Sequence, residues 1–446
     1  MFLLGQFPLR RFRFAALLLF ALVVLSPPAI IAAAHGEPLA RDNGIHITVS
    51  ASGPRLVKIC LAGPPAQEPI VDSTRELLEF DLSQSNHFEL VRVKPPLVTM
   101  IRSGAAGALD AAESKASVDV FVVWDAGSAG NSFTFNGQVK DSRTLRKILS
   151  RTFSVPMEQQ RAVLHQFVDE VALMLSGSSG TAHCKIAFVS DCTGHKELYT
   201  ADYDGHNVRQ LTALGRIVLS PAYSPQGDKI AFIRFKDNGT VLSILDVASG
   251  AIIDVLSPEE IAASPAWSPD GKLIAVSISV HGNSDLYLFD VGSGTLTRLT
   301  YEKSIETSPT FAPNGRSIAF TSDRTGRPQI YVMNIDGSGL RRLTFEGRHN
   351  ESPAWSPDGS LIAYAALKGN AFELRLIGPD GDGPYTVVEE LSDGESPAWS
   401  PDGQKLIFSA RDEGTFSALY LVNRDGSGLT KVVSIVGNCS EPSWSP

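Results

Sequence analysis

Short apolar segments alternate with polar turns throughout the C-terminal part of the chain. Apolar segments such as residues 229–233, 273–278 and 317–321 each follow a Pro-Gln-Gly, Pro-Asp-Gly or Pro-Asn-Gly turn. A segment of alternating polarity, residues 329–334, and a short last strand, residues 340–344, complete one unit. Proline disfavours a helix for the residue before it, and the turn glycine can take a positive φ. The pattern therefore predicts four short strands per unit.

This unit repeats at a nearly constant interval, which is typical of a propeller. Its marker is the motif Ser-Pro-Ala-Trp-Ser-Pro-Asp-Gly of residues 264–271. The first prolines of the six copies are Pro221, Pro265, Pro309, Pro353, Pro397 and Pro442. Their spacings are 44, 44, 44, 44 and 45 residues. Four short strands in about 44 residues correspond to one blade of a β-propeller.

The two ends of the repeat predict a closed ring. Residues 185–190, 197–201 and 208–212 form three strands with no aromatic-Pro strand before them, whereas residues 441–446 supply such a strand with no blade after it. Together the two incomplete ends make one blade. The sequence therefore predicts an all-β, six-bladed β-propeller over residues 184–446, closed by the C-terminal strand so that no sheet edge is exposed.

Residues 45–176 have a different pattern, which predicts a small α/β domain. Serine and glutamate at Ser73 and Glu76 have the spacing of a helix capping box, and Gly177 suits the end of a helix. The expected strands are residues 45–49, 88–93, 118–124 and 132–139, and the expected helices are residues 72–82 and 157–175. Residues 177–183 would link this domain to the propeller.

The N-terminus has the layout of a secretory signal. Arg10, Arg11 and Arg13 precede an apolar run over residues 14–25, and small residues ending at Ala34 offer a cleavage site. The alternative is an uncleaved membrane anchor, although 12 apolar residues are few against the roughly 20 that span a bilayer. We expect a signal peptide over residues 1–34, export to the periplasm, no membrane insertion after cleavage, and a flexible arm over residues 35–55.

Charge and motifs argue against several functions. The net charge is −9 and no run of Lys or Arg exceeds a pair after the first thirteen residues, which argues against a nucleic-acid partner. Residues 380–383, Asp-Gly-Asp-Gly, lack the other ligands of a calcium loop. The sequence has none of the motifs expected of a serine-hydrolase elbow, a zinc protease or a phosphate-binding loop. We therefore expect no catalytic residue, no metal and no cofactor; the alternative is a propeller enzyme with paired axial carboxylates.

The cysteines bear on closure of the ring. Strand pairing through the turn of a complete blade places the equivalent of Cys439 opposite that of Asp191, next to Cys192. This register predicts a Cys192–Cys439 disulfide across the closure, in keeping with an oxidising compartment. The alternative is that all four cysteines stay reduced. Cys60 and Cys184 have no predicted role.

The repeat and the preceding helix together resemble the TolB family of periplasmic Tol-Pal proteins. The resemblance covers the propeller motifs and the helix segment Leu-His-Gln-Phe-Val-Asp-Glu-Val of residues 164–171. It implies a protein without enzymatic activity that supports outer-membrane integrity and constriction at cell division. It also implies binding of the lipoprotein Pal at one mouth of the propeller and of TolA by the N-terminal arm. In this chain the arm residues would be Asp42, Ile45, Ile47 and Val49.

The residues that lead into the innermost strands should ring one mouth of the propeller, where we expect Pal to bind. They are Ile261, Glu306, Thr307, His349, Asn350, Glu351, Glu395 and Glu441. Several are carboxylates, so this mouth should be electronegative and suited to donors or Lys and Arg of a partner. The alternatives are that these are ordinary solvated loop charges, or that the protein is purely structural with no defined partner. We expect a monomer.

Overall fold

The computed structural model describes residues 56–66, 68–103, 118–237, 239–256, 261–411 and 416–446. The expected signal peptide, the arm and its residues Asp42, Ile45, Ile47 and Val49 lie outside these residues. Among the described residues, every helix is too short or too polar to cross a bilayer.

The first domain is a five-stranded sheet covered by helices on both faces. Its elements are β1 (Val57–Ala62), α1 (Pro69–Gln84), β2 (Phe88–Leu90), α2 (Pro95–Ser103), β3 (Val120–Ala129), β4 (Ser132–Asp141), β5 (Lys147–Pro156), a 3-10 turn (Met157–Gln159) and α3 (Gln160–Ser176). The strand order is β2-β1-β3-β4-β5, with β1 parallel to β2 and β3 and the other pairs antiparallel. Alternate residues of β3 face opposite sides, so Trp124 packs under α1 and α3 whereas Phe121 packs under α2.

The local signals located α1 and α3 but missed α2, and each of the two predicted helices begins three residues away from its expected start. Helix α1 begins at Pro69, three residues before the expected start, because proline suits the first turn of a helix. Ser73 consequently lies inside α1, where its hydroxyl donates to the carbonyl of Ile70 at 3.2 Å, so the capping-box prediction is wrong. Helix α3 ends as expected at Gly177, which takes a left-handed conformation and donates its N–H to the Leu173 carbonyl at 3.0 Å.

The propeller contains six four-stranded blades, as the repeat predicts. Its strands are β6 (Lys185–Ser190), β7 (Glu197–Asp202), β8 (Arg209–Gln210), β9 (Val218–Tyr223), β10 (Lys229–Lys236), β11 (Gly239–Asp246), β12 (Ile252–Asp254), β13 (Ile261–Trp267), β14 (Leu273–Val280), β15 (Asn283–Asp290), β16 (Leu296–Arg298), β17 (Glu306–Phe311), β18 (Ser317–Ser322), β19 (Gln329–Asn334), β20 (Arg341–Arg342), β21 (Asn350–Trp355), β22 (Ile362–Lys368), β23 (Ala371–Ile377), β24 (Tyr385–Trp399), β25 (Lys405–Arg411), β26 (Ser417–Asn423), β27 (Thr430–Val433) and β28 (Cys439–Trp444). Blade 1 is β28 with β6–β8, and blades 2, 3 and 4 are β9–β12, β13–β16 and β17–β20. Strand β24 is long enough to be the outer strand of blade 5 at its start and the innermost strand of blade 6 at its end.

The C-terminal strand closes the ring. β28 pairs antiparallel with β6, with Cys439 opposite Ser190 and Trp444 opposite Ile186. Every innermost strand carries a β-bulge at its proline, and the residue before that proline has a left-handed φ between 50° and 54°. These six residues are Ser220, Ser264, Ser308, Ser352, Ser396 and Glu441. Because β28 repeats this unusual backbone, the prediction of a six-bladed propeller closed by the C-terminal strand is confirmed.

The predicted Cys192–Cys439 disulfide is not present, since all four cysteines are free thiols. The observed register differs by one residue from the expected one and places Cys439 opposite Ser190. The Cys192 thiol instead donates to the hydroxyl of Tyr199 at 3.1 Å. Asp191 fastens the closing strand by accepting the backbone N–H of Asn438 at 2.6 Å and its side-chain amide at 2.8 Å. Closure therefore depends on hydrogen bonds and packing.

Candidate protein-interaction site

The propeller has two chemically different faces. Each innermost strand starts at one face, which also carries the loops between second and third strands; we call it the loop face. The opposite face carries the Ser-Pro-Asp-Gly turns, such as residues 268–271 and 356–359, and we call it the turn face. In these turns the serine hydroxyl binds the aspartate, as Ser268 binds Asp270 at 2.7 Å. These recurring serine and aspartate side chains therefore stabilise the turns.

The first domain is attached to the turn face. The Tyr203 hydroxyl, just after the third strand of blade 1, donates to the Asp81 carboxylate of α1 at 2.6 Å. The side-chain amide of Asn86 donates to Asn423, at the end of the third strand of blade 6, at 3.0 Å. Third strands run from the loop face to the turn face, so both contacts lie on the turn face. The described part of the first domain consequently leaves the loop face uncovered.

The eight residues expected at the mouth all lie on, or next to, innermost strands. Ile261, Glu306 and Asn350 are the first residues of β13, β17 and β21. Thr307 and Glu351 follow directly, His349 precedes β21, Glu395 lies within β24 and Glu441 within β28. Glu306 and Asn350 are buried, whereas the other six keep some exposure.

Two of the expected residues, Glu306 and Asn350, are buried within their blades. Glu306 is 0% exposed and its carboxylate forms an ion pair with Arg324, which comes from the loop after β18. Asn350 is 1% exposed, and its amide donates to Gln329 at 2.9 Å and to the Glu346 carbonyl at 2.8 Å. Their polar groups hold the loops of blades 4 and 5 and are not presented to a partner.

An accessible His-Glu pair marks the start of blade 5. Nε2 of His349 lies 2.7 Å from Oε2 of Glu351, and each side chain is about a quarter exposed. This hydrogen bond raises the pKa of His349 above its ordinary value, although partial burial opposes the shift. Glu395, the equivalent of Glu351 in blade 6, is exposed. Both carboxylates are thus accessible to a partner on the loop face.

Glu441 stands where the other five blades have serine. Its left-handed φ of 54° matches theirs, and its carboxylate accepts the backbone N–H of Ser220 in blade 2. Burial raises the pKa of Glu441. This carboxylate therefore links blade 1 to blade 2 near the ring closure, a contact that serine is too short to make with its own side chain.

Sequence reasoning missed two exposed aromatic residues on the loop face. Tyr301 and Phe345 are 72% and 73% exposed in the loops that lead into β17 and β21. An arginine covers each ring, with Arg298 Cζ 4.6 Å from the Tyr301 centroid and Arg342 Cζ 5.0 Å from that of Phe345. The signal was the motif Arg-Leu-Thr-aromatic-Glu, which occurs at residues 298–302 and again 44 residues later. Aromatic residues and arginine are enriched at the centres of protein interfaces.

Among the described residues, one group of side chains has the composition of a metal site. It comprises His165, Asp202 and Asp204, whose donor atoms lie within 4.8 Å of one another. This group lies between the first domain and blade 1, on the turn face, and is therefore separate from the loop face.

Comparison with known proteins agrees with this architecture. The family model described as the TolB beta propeller domain matches residues 173–446. The Tol-Pal system protein TolB of Geobacter sulfurreducens is 34% identical over 227 residues, which are 50% of each chain. That of Geobacter metallireducens is 36% identical over 206 residues, 46% of each chain. The chain thus spans about half the length of the curated relatives it matches.

One solved structure is similar over nearly its whole length. The crystal structure of TolB from Acinetobacter baumannii superposes with a TM-score of 0.74 at 26% sequence identity. The match covers 88% of this chain and 97% of the other, so it includes the first domain as well as the propeller.

Proposed function

Because the chain belongs to the family of the TolB beta propeller domain, we propose that it is a non-enzymatic periplasmic component of the Tol-Pal system. In this proposal the loop face binds the lipoprotein Pal, and the arm of residues 35–55 binds TolA. The protein would thereby support outer-membrane integrity and constriction at cell division. The relatives named above are Tol-Pal system proteins, which supports the assignment to that system.

The observation that carries the Pal proposal is the uncovered loop face. It combines accessible carboxylates, Glu351 and Glu395, with the two exposed aromatic residues Tyr301 and Phe345. An interface needs apolar anchors for affinity and charged groups for orientation, and this face offers both. The first domain occupies the opposite face, so a protein can approach the loop face without displacing it.

Calorimetry with the soluble domain of Pal tests this proposal. We expect the mature protein to bind Pal, and Glu351→Lys to weaken binding by about 10-fold, or roughly 1.4 kcal/mol, with an unchanged melting temperature. The matched control is Asp336→Lys, an exposed acidic residue in a turn of blade 4 on the turn face. Glu306→Lys is unsuitable because Glu306 is buried against Arg324. Equal affinities for all three proteins would remove the loop face from the proposal, and no binding by the wild-type protein would remove Pal.

A second binding experiment tests the arm. We expect mature protein that lacks residues 35–55 to retain its affinity for Pal and to lose TolA, because Ile45, Ile47 and Val49 have the alternating pattern of a strand that can add to a partner's sheet. Retention of TolA by the truncated protein would contradict this assignment. Failure of the wild-type protein to capture either partner from envelope extract would instead favour a purely structural envelope protein.

A further inference from the structure

A buried polar cluster joins the first domain to blade 1. Helix α3 contributes Arg161 and His165, the end of β7 contributes Asp202, and the turn after it contributes Asp204. Helix α1 adds Asp81, which touches His165 from the other side. The cluster therefore has members from both domains and lies on the turn face, away from the proposed Pal site.

His165 has one ring nitrogen that no hydrogen bond satisfies. Its Nδ1 lies 2.7 Å from Oδ2 of Asp81, whereas its Nε2 is buried and has no partner. The residue is only 2% exposed, and Nε2 is 4.0 Å from Oδ2 of Asp202. In the neutral tautomer whose Nδ1–H donates to Asp81, Nε2 carries a lone pair and faces the carboxylate of Asp202. A buried acceptor facing another acceptor is unfavourable unless a cation or a proton lies between them.

The neighbouring donors have the chemistry of a zinc site. Zn²⁺ binds imidazole nitrogen and carboxylate oxygen, and open zinc sites have three protein ligands with a fourth position left for water. Tetrahedral Zn²⁺ places such ligand atoms about 3.4 Å apart, so donors that now lie within 4.8 Å of one another need only a small contraction. Asp81 occupies the position of the outer carboxylate that orients many metal-bound histidines.

Arg161 now occupies part of this space. Its guanidinium contacts the Asp204 carboxylate and lies 3.5 Å from that of Asp202. Its side chain is a quarter exposed, so the guanidinium can turn outward into solvent. Lys185 holds the other oxygen of Asp202.

The charges of the cluster favour an added cation. Apart from the imidazole, the three carboxylates of Asp81, Asp202 and Asp204 face two cations, Arg161 and Lys185, which leaves one negative charge in excess. A divalent ion that replaces Arg161 brings the total to zero, because three carboxylates then face Lys185 and a double positive charge. Buried charge is stable only when it is compensated in this way.

We propose that His165, Asp202 and Asp204 form a binding site for a borderline divalent cation of the Zn²⁺ class, which displaces the Arg161 guanidinium and ties the first domain to blade 1. The nitrogen ligand and the small number of oxygens disfavour Ca²⁺ and Mg²⁺. The site is independent of the proposed Tol-Pal function.

Calorimetry of the metal-free mature protein with ZnCl₂ tests the site, together with thermal unfolding. We expect one ion per chain and a higher melting temperature, since a ligand that binds only the folded state stabilises it. Neither effect should appear with MgCl₂ or CaCl₂. Arg161→Gln should bind Zn²⁺ more tightly because it removes the competing guanidinium, and Asp81→Asn should bind it about 10-fold or more weakly because it loosens His165.

Two ligand variants and one matched control complete the test. His165→Gln and Asp204→Asn should each lose the binding of one Zn²⁺ per chain. Because two ligand variants are tested, the result remains decisive if one of them fails to fold. His195→Gln removes an exposed histidine on the loop face of blade 1, and this variant should bind Zn²⁺ as the wild-type protein does. A wild-type protein that binds no Zn²⁺, or ligand variants that bind it unchanged, would overturn the proposal.

Discussion

The hydroxyl of Tyr203 in the propeller donates a 2.6 Å hydrogen bond to the carboxylate of Asp81 in the first domain. The ring of Tyr203 also lies between two other aromatic groups, with its centroid 5.9 Å from that of Phe80 and 6.5 Å from that of Trp444. Phe80 belongs to α1 and Trp444 to the closing strand β28. One side chain thus connects the first domain with the blade that seals the ring.

Removal of this hydroxyl should weaken the domain junction. Tyr203→Phe leaves the buried Asp81 with His165 as its remaining partner, and we expect a loss of about 1–3 kcal/mol in the free energy of unfolding. Urea denaturation measures the loss. Tyr331→Phe, which removes a hydroxyl that contacts Thr325 in blade 4 far from the junction, should cost less. Equal losses in the free energy of unfolding would show that the hydrogen bond to Asp81 stabilises the protein no more than the contact to Thr325.

Lys405 is buried at the turn face with a neutral partner. Its side chain is 2% exposed, and its ammonium donates to Asn423 at 2.6 Å. Burial lowers the pKa of Lys405 to about 8, against an ordinary value of 10.5. Below pH 8 the folded protein carries the cost of a buried charge, so its stability should rise as the pH increases from about 8 to 10.5, where the unfolded chain alone holds this proton.

Substitution of Lys405 should therefore stabilise the protein at neutral pH. Lys405→Met removes the cost of the buried charge, about 3 kcal/mol at pH 7, but also loses the hydrogen bond to Asn423. The gain in stability over the wild type should shrink toward pH 10, where the folded wild-type protein no longer holds the proton. Thermal unfolding at several pH values measures this. Lys185→Met, which breaks an ion pair with Asp202, should give no stabilisation. A Lys405→Met protein less stable than wild type at pH 7 would contradict the expected cost.

The His349–Glu351 pair should be visible in an NMR titration. The hydrogen bond from Glu351 raises the pKa of His349, so this residue should titrate above 6.5, and Glu351→Gln should lower its pKa. The pair stabilises the fold at pH values below the pKa of His349 in the unfolded chain. This contribution is lost as the pH rises through the higher pKa of His349 in the folded protein. Glu302→Gln, at a loop position of the preceding blade, should leave the titration unchanged. A His349 pKa that does not respond to Glu351→Gln would refute the pairing.

Ring closure should depend on β28 and not on a disulfide. Deletion of residues 439–446 leaves one edge of β6 unpaired, so we expect aggregation or loss of cooperative unfolding. Size-exclusion chromatography and calorimetry measure these effects. Cys192→Ser keeps a donor for Tyr199 and should melt close to the wild type, with or without reductant. A cooperative, monomeric protein after the deletion would contradict the closed ring.

The propeller could be predicted from sequence because each blade repeats the same local signals. Six Pro-flanked motifs determined the blade number and the closing strand. The first domain has no such repetition. Strand β5 is a largely exposed edge strand whose alternation is weak, and the start of α1 was assigned to residue 72 because Ser73 and Glu76 imitate a capping box. Its strand order, with β1 between β2 and β3, arises from contacts distant in sequence.

The interaction site was only partly predictable, because it too depends on contacts between residues that are distant in sequence. Position along the chain placed Glu306 at the start of an innermost strand, but only the fold brings Arg324 against it and buries the pair. Conversely, Tyr301 has a large aromatic side chain of the kind expected in a core, yet it is exposed because its loop crosses the face of the propeller. Burial is set by neighbours from other strands, which a single sequence does not reveal.

In our proposal the loop face of the propeller is the surface that binds Pal. Hydrogen–deuterium exchange of the mature protein, with and without the soluble domain of Pal, tests this assignment. We expect Pal to slow exchange in residues 299–307 and 345–351 and to leave the turns at residues 268–271 and 356–359 unchanged. Protection of the turns instead of the loops, or no protection at saturating Pal, would contradict the account.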